Sequence, residues 1–263
     1  MEVFISTDQL KQYYEDSSHR FWDPRLGMSG RDLVIYPLLN GLSGTLLEYG
    51  CGSGSLLLGL AKEERFSKCY GVDISERALS SVVQAWGDFK NADKDKLKVM
   101  IPQNDQLPNI PDKSIDVIVS VATIEHVINP YVVLDELYRV ASDTAVFVCC
   151  VPNYAYLKHI IQLIFGVQPN TGTDEPVENW RSVGWDGMHI HTFTKSSLST
   201  LLIDCGWKPE KWTGWGERFS WLGFGILRRL FPGLLSGEII AICKKDLSML
   251  NIDSRKTNLP AMR

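Results

Sequence analysis

The sequence lacks a block of clustered Lys and Arg: 27 basic side chains are outnumbered by 31 acidic ones, for a formal charge of −4. Phosphate backbones are held by clustered cations, so this balance disfavours a nucleic-acid substrate. It also lacks a membrane-spanning run. The apolar stretch Trp221–Leu235 is too short, and too interrupted by Gly, Arg and Pro, to cross a bilayer. Burial against the rest of the chain is one reading of it. Peripheral contact with a membrane surface or a lipid-linked acceptor, with Arg228 and Arg229 at the interface, is the other. Met1–Leu10 carries Glu2 and Asp8 and has no continuous apolar core, which argues against a secretion signal. The six cysteines follow no metal-site or disulfide spacing. Cys51, Cys149, Cys150 and Cys243 fall in or beside apolar runs, as small buried hydrophobes of a reducing, cytoplasmic protein do.

What is present is a soluble α/β pattern, with 44% hydrophobic and 22% charged residues. Apolar runs alternate with helix-like ones, which predicts βαβ units and a parallel sheet. Strands are expected at Thr45–Tyr49, Lys68–Val72, Lys98–Ile101, Ile115–Val121, Ala145–Val151, 207–216 and 237–244. Helices are expected at Ser55–Lys62, Glu76–Ala85, Tyr131–Val140 and Lys195–Cys205. The alternation stops at Pro152. The chain therefore divides into an N-terminal helical lid segment (1–43), a cofactor-binding core (44–151), a cap insertion (152–193), a C-terminal part of the sheet with an apolar insertion (194–245) and a loose polar tail (246–263). Six of the eight tryptophans lie between Trp180 and Trp221, as cap core or as the wall of a substrate pocket.

The chemistry concentrates in Glu48-Tyr49-Gly50-Cys51-Gly52-Ser53-Gly54, which runs out of an apolar strand. Glycine carries no Cβ and tolerates positive φ, so a ligand can lie against this main chain at the start of the next helix. Asp73 ends the following apolar run, where a carboxylate can accept both ribose hydroxyls of an adenosine-containing cofactor. Its alternative use is as a helix N-cap, but Ser75 can serve there. The dinucleotide fingerprint places two residues between its second and third glycines. Here there is one, which disfavours a nucleotide-dependent oxidoreductase.

With this spacing, with "LPNIPDKSIDVIVS" and "IEHVINP" around the fourth strand, and with "HIHTFTKSSLSTLLIDCGWKPEKW" late in the chain, the sequence resembles the class I S-adenosylmethionine-dependent methyltransferases. Within them it is similar to the ubiquinone-pathway O-methyltransferase group. The resemblance implies a doubly wound, Rossmann-like, mostly parallel seven-stranded sheet with an added helical and aromatic cap. It implies S-adenosyl-L-methionine as cofactor, held by Glu48, Gly50, Gly52, Gly54, Asp73 and Ile74. A polar side chain after the third strand meets the adenine edge. An ungapped match selects Gln103, anchoring on Pro111-Asp112 selects Asn104, and Asp105 is a third candidate.

His126 follows the fourth strand and is the first choice of general base, with His189 second. Each has a structural alternative, His126 hydrogen-bonded beneath the cap and His189 packed under the helix start at Thr194–Ser197. Some relatives with this segment bind a divalent ion through Glu-x-x-Glu-His and a distant His. Ala122 stands at the first Glu place here, so Glu125, His126 and His189 remain and no obligatory metal is expected. The expected activity is in-line methyl transfer to a small molecule, at a hydroxyl. The alternatives are transfer to nitrogen by alignment alone, and a catalytically silent protein of the same fold. Nothing in the sequence indicates an oligomeric state.

Overall fold

The computed structural model describes residues 7–16, 23–90, 92–173, 175–183, 185–216, 227 and 230–248. Most of the apolar segment 219–231, including Arg228 and Arg229, and the tail beyond 248 lie outside the described residues. Seven strands form one sheet: β1 (Gly44–Tyr49), β2 (Phe66–Val72), β3 (Leu97–Met100), β4 (Ile115–Val121), β5 (Ala141–Pro152), β6 (Trp207–Trp215) and β7 (Glu238–Lys245). Their order is β3-β2-β1-β4-β5-β7-β6. The first five run parallel, and β7 lies antiparallel to both β5 and β6. Each strand was expected from its apolar run, within a few residues at its ends.

The helices are α1 (Thr7–Asp16), α2 (Asp32–Ile35), α3 (Ser55–Ala61), α4 (Glu76–Gly87), α5 (Pro130–Val140), α6 (Leu157–Ile164), α7 (Trp180–Val183) and α8 (Lys195–Asp204). Successive strand side chains point to opposite faces, and neighbouring residues accordingly enter different cores. Leu46, Val117 and Val148 join Leu56, Leu60, Val82 and Trp86 of α3 and α4. Leu47, Ile118 and Phe147 join Leu134, Leu137, Leu198 and Leu202 of α5 and α8. Both faces of the sheet are thus covered, which is why its strands read as continuous apolar runs.

Local chemistry sets the helix starts. Ser75 caps α4 by accepting from Ala78 N at 3.1 Å, Asn129 caps α5 ahead of Pro130, and Thr194 and Ser197 form a capping box for α8. Strand order reverses between β1 and β4, and ligands bind outside the carboxyl ends of strands at such a switch point. Asn153, fully buried at the start of the cap, donates from Nδ2 to Gly233 O and Ser236 O. Among the described residues no helix is long and apolar enough to cross a membrane.

Candidate active site

A cavity of about 670 Å³ opens at this switch point. One end is built by the turn after β1. Gly50, Gly52 and Gly54 all have positive φ, but each is glycine for its own reason. A Cβ at Gly50 would collide with the Thr123 side chain, and one at Gly54 would approach Val82 of α4 at 2.6 Å. A Cβ at Gly52 meets no protein atom within 4 Å, and Gly52 lines the cavity. Gly52 is therefore the glycine whose missing side chain leaves the cavity open, while Gly50 and Gly54 serve packing. Gly54 does not itself line the cavity.

Asp73 accepts from Gly52 N at 2.7 Å and from Ser75 N at 2.9 Å, so it ties the glycine turn to the start of α4. Burial raises its carboxyl, against the backbone hydrogen bonds that lower it. Glu48 is buried and lines the cavity, with Oε2 lacking a hydrogen-bond partner. Burial, then the charges of Asp32 and Asp73, push its carboxyl well up. Ile74 also lines this end.

The loop after β3 departs from expectation. Asn104 and Asp105 are consecutive left-handed residues, φ 50° and 62°, closed by reciprocal backbone bonds between Gln103 and Gln106. This turn leaves Gln103 and Asn104 exposed and brings Pro102 and Asp105 to the cavity wall. Of the three candidates after β3, Asp105 lines the cavity and Gln103 and Asn104 do not.

Sequence reasoning missed Tyr14, Arg31, Asp32, Ser55, Thr123 and Thr171, all of which line the cavity. Arg31 pairs with Glu238 of β7, and Asp32 bonds Ser55 at the start of α3. Their only sequence signal is an Arg-Asp pair ahead of β1. Leu10 and Tyr14 of α1 reach the same wall. That helix is docked on α4 through the Lys11–Glu76 ion pair, 2.6 Å.

The other end gathers distant residues. Ala122 takes a left-handed φ of 50° just past β4, turning the chain so that Thr123 and His126 line the cavity. The rings of His126 and His189 meet edge-on, 4.7 Å between centroids, and Tyr14 also meets His126 edge-on at 5.8 Å. Nδ1 of His126 lies 2.9 Å from Met188 O. A carbonyl only accepts, so this nitrogen carries the proton and Nε2 the lone pair. Beside the pair, Glu125 is 1% exposed. Its two carboxylate oxygens have no hydrogen-bond partner, and burial pushes its carboxyl up to about 8. His191 turns elsewhere, its Nε2 donating to Val127 O at 3.0 Å. Of His189 and His191, the first lines the cavity and the second does not.

One ligand atom each from Glu125, His126 and His189 lie within 4.8 Å of one another. The unbonded, buried carboxyl beside two imidazoles fits a divalent cation, even with Ala122 in place of a fourth donor.

A doubly wound sheet with a glycine turn, a strand-end acid and a cavity at the switch point defines a class I S-adenosylmethionine-dependent methyltransferase. The chain belongs to the methyltransferase-domain family, whose model matches residues 9–211. It is similar to the human tRNA N(3)-cytidine methyltransferase METTL6, 28% identical over 171 residues, 62% of this chain and 55% of that protein. The chain spans about half the length of the curated relatives it matches. The fold is shared with a putative methyltransferase solved in complex with the Haloferax volcanii Trm112 activator. That chain is 16% identical, with a TM-score of 0.59 over 90% of this chain and 98% of its own. It is shared too with Haemonchus contortus phosphoethanolamine N-methyltransferase 2, solved with phosphomonomethylethanolamine and S-adenosylhomocysteine. That match is 11% identical, with a TM-score of 0.63 over 90% of this chain and 60% of the other. S-Adenosylmethionine is the cofactor. The expectation of a small-molecule acceptor and no nucleic acid is corrected by these relatives, which are named for tRNA. Net charge governs long-range steering. It does not fix the group that enters a catalytic cavity, and basic surface can be supplied by an associated chain.

Proposed function

We propose that the chain transfers the methyl group of S-adenosylmethionine to a proton-bearing heteroatom of an RNA nucleoside, a hydroxyl before a nitrogen, in a cytoplasmic setting. The RNA part rests on the names of the relatives. The cytoplasmic part rests on six cysteines that are all buried, free thiols. The observation that carries the chemistry is the His126–His189 pair at the cavity, with His126 Nδ1 committed to Met188 O.

In this reading Asp73 receives the ribose hydroxyls, Gly52 and Ile74 bound the cofactor, and Asp105 stands beside the adenine. Arg31 faces the carboxylate of the methionine part. The sulfonium is already activated, so the cavity mainly aligns the acceptor with the S–CH₃ bond. As the C–S bond breaks and the new bond to the acceptor forms, the acceptor proton passes to Nε2 of His126, and S-adenosylhomocysteine leaves neutral at sulfur.

The test is transfer of labelled methyl from S-adenosylmethionine to unmodified tRNA. His126→Ala should lower kcat by about 10²–10⁴-fold with cofactor affinity unchanged. Absence of label in RNA would reject the acceptor. Full kcat in both His126 and His189 variants would reject the base and leave transfer by alignment to an unprotonated ring nitrogen.

A second reading is favoured by Glu125, whose buried carboxyl has no hydrogen-bond partner. Glu125, His126 and His189 would hold a divalent cation, which would polarise the acceptor atom. Activity that survives EDTA supports the base. Activity lost in EDTA and restored by Mg²⁺ or Mn²⁺ supports the cation.

A further inference from the structure

The turn Asp186–Met188 is an unusual piece of backbone. Asp186 (φ 43°), Gly187 (φ 65°) and Met188 (φ 66°) are all left-handed, and two of them are not glycine. Such a conformation is strained for a residue with a Cβ, so something holds it. Asp186 is 5% exposed. Its carboxylate accepts from Thr171 N at 2.8 Å, from Gly172 N at 3.0 Å and from the Thr171 hydroxyl.

These bonds reach both histidines. Thr171 Oγ1 lies 2.7 Å from Nδ1 of His189. A hydroxyl has one proton, and that of Thr171 goes to Asp186, so its oxygen accepts from Nδ1–H of His189. The far end of the same turn supplies Met188 O, which accepts from Nδ1–H of His126. The loop bearing Thr171 lies flat on the ring: a Cβ at Gly172 would come 2.8 Å from His189 and collide with Asp186 O. Asn170, Thr171, Gly172 and Thr173 all line the cavity.

We propose that Asp186 and Thr171 are positioning residues that, with Met188 O, set both imidazoles in the Nδ1–H form, which leaves the Nε2 lone pair of His189 on the side of Glu125, 3.9 Å from its Oε1. The tautomer of an imidazole is set by the bond its other nitrogen makes. Asp186 fixes the Thr171 hydroxyl, Thr171 fixes His189, and the strained turn holds Met188 O against His126. The cap thereby acts on the chemistry through two residues that need not touch the acceptor. This inference rests on the reading of the histidine pair as the reacting end, and it applies whether the lone pairs take a proton or a cation.

The experiment is ¹⁵N NMR of histidine-labelled protein with S-adenosylhomocysteine, in EDTA at about pH 8, above the usual imidazole range. Wild type should show His189 and His126 as Nδ1–H tautomers. Thr171→Val should remove His189 from that form while His126 keeps it, and Thr171→Ser should restore it. Gly172→Ala, which forces the loop off the ring without removing the hydroxyl, should repeat the Thr171→Val result. Kcat should fall about 10–100-fold in both, in the range for lost ligand-orienting partners, with KM for the cofactor unchanged. His189 retained as Nδ1–H in Thr171→Val and Gly172→Ala would overturn the proposal. A changed tautomer with unchanged kcat would uphold the positioning and overturn the histidine base instead.

Discussion

At the end proposed to hold the cofactor, Glu48, Gly52 and Asp73 come from one β-α-β unit, and backbone amides tie the last two together: Gly52 N and Ser75 N both donate to Asp73. At the acceptor end, His126, Thr171, Asp186 and His189 come from the β4–α5 loop and from two parts of the cap. They are held by side chains acting on side chains and by left-handed residues that are not glycine. The first end is a property of a short stretch of chain. The second exists only when the cap is closed on the sheet. Damage at the first should therefore appear as lost cofactor affinity, and damage at the second as lost turnover with affinity kept.

The sharpest form of that contrast is at the cofactor end. Gly52→Val places a branched side chain in the open space that the glycine leaves, in a left-handed conformation that β-branched residues rarely adopt. Calorimetry should detect no binding of S-adenosylhomocysteine. Asp73→Ala should weaken binding by about 1.5–3 kcal/mol, the loss of hydrogen bonds to a charged acceptor. Wild-type affinity in both variants would remove this turn from the site and erase the contrast.

At the other end the contrast shows in the pH dependence from Glu125. Its carboxyl is raised from the ordinary 4.5 to about 8 by burial, so the folded state binds the proton more tightly than the unfolded chain. The contribution is fully present below about 4.5. It is lost as pH climbs through the window to about 8, at a rate approaching 1.4 kcal/mol per pH unit for a group acting alone. Glu125→Gln should flatten the fall in urea-unfolding free energy between pH 5 and 8, measured with chelator present. An identical slope in the two proteins would mean that Glu125 is ionised in the fold, with a partner to compensate it.

Legibility follows the same division. The glycine turn, Asp73 and the seven strands were readable because their signals are local: alternation of apolar runs, residues that permit positive φ, and a cap residue placed where a helix begins. His126 and His189 were readable as chemistry, but their meeting was not, because it depends on how a cap of irregular backbone closes. Asp186 and Thr171 carried no signal, since an acid and a hydroxyl in a polar loop look the same whether solvated or buried. Arg31 was hidden for a related reason, its partner Glu238 lying on the last strand. Charge balance misled outright, since a sum over the chain says nothing about what one cavity admits.

The smallest effect separates the two readings of the loop after β3. Had register alone decided, Gln103 or Asn104 would meet the cofactor. The left-handed pair Asn104–Asp105 instead leaves both exposed and turns Asp105, half-buried with its carboxyl raised by burial, to the wall. Gln103→Ala should leave cofactor affinity within about 0.5 kcal/mol of wild type, as surface substitutions do. Asn104→Ala should cost stability, because Ala lacks the tolerance of Asn for positive φ, while affinity stays put. Asn104→Gly should restore the stability. Asp105→Ala should weaken S-adenosylhomocysteine binding by about 1 kcal/mol, one hydrogen bond's worth, and should also lower the melting temperature, since Asp105 is left-handed too. A reversed pattern, affinity lost in Asn104→Gly and kept in Asp105→Ala, would return the adenine contact to Asn104 and show that the turn rearranges when the cofactor binds.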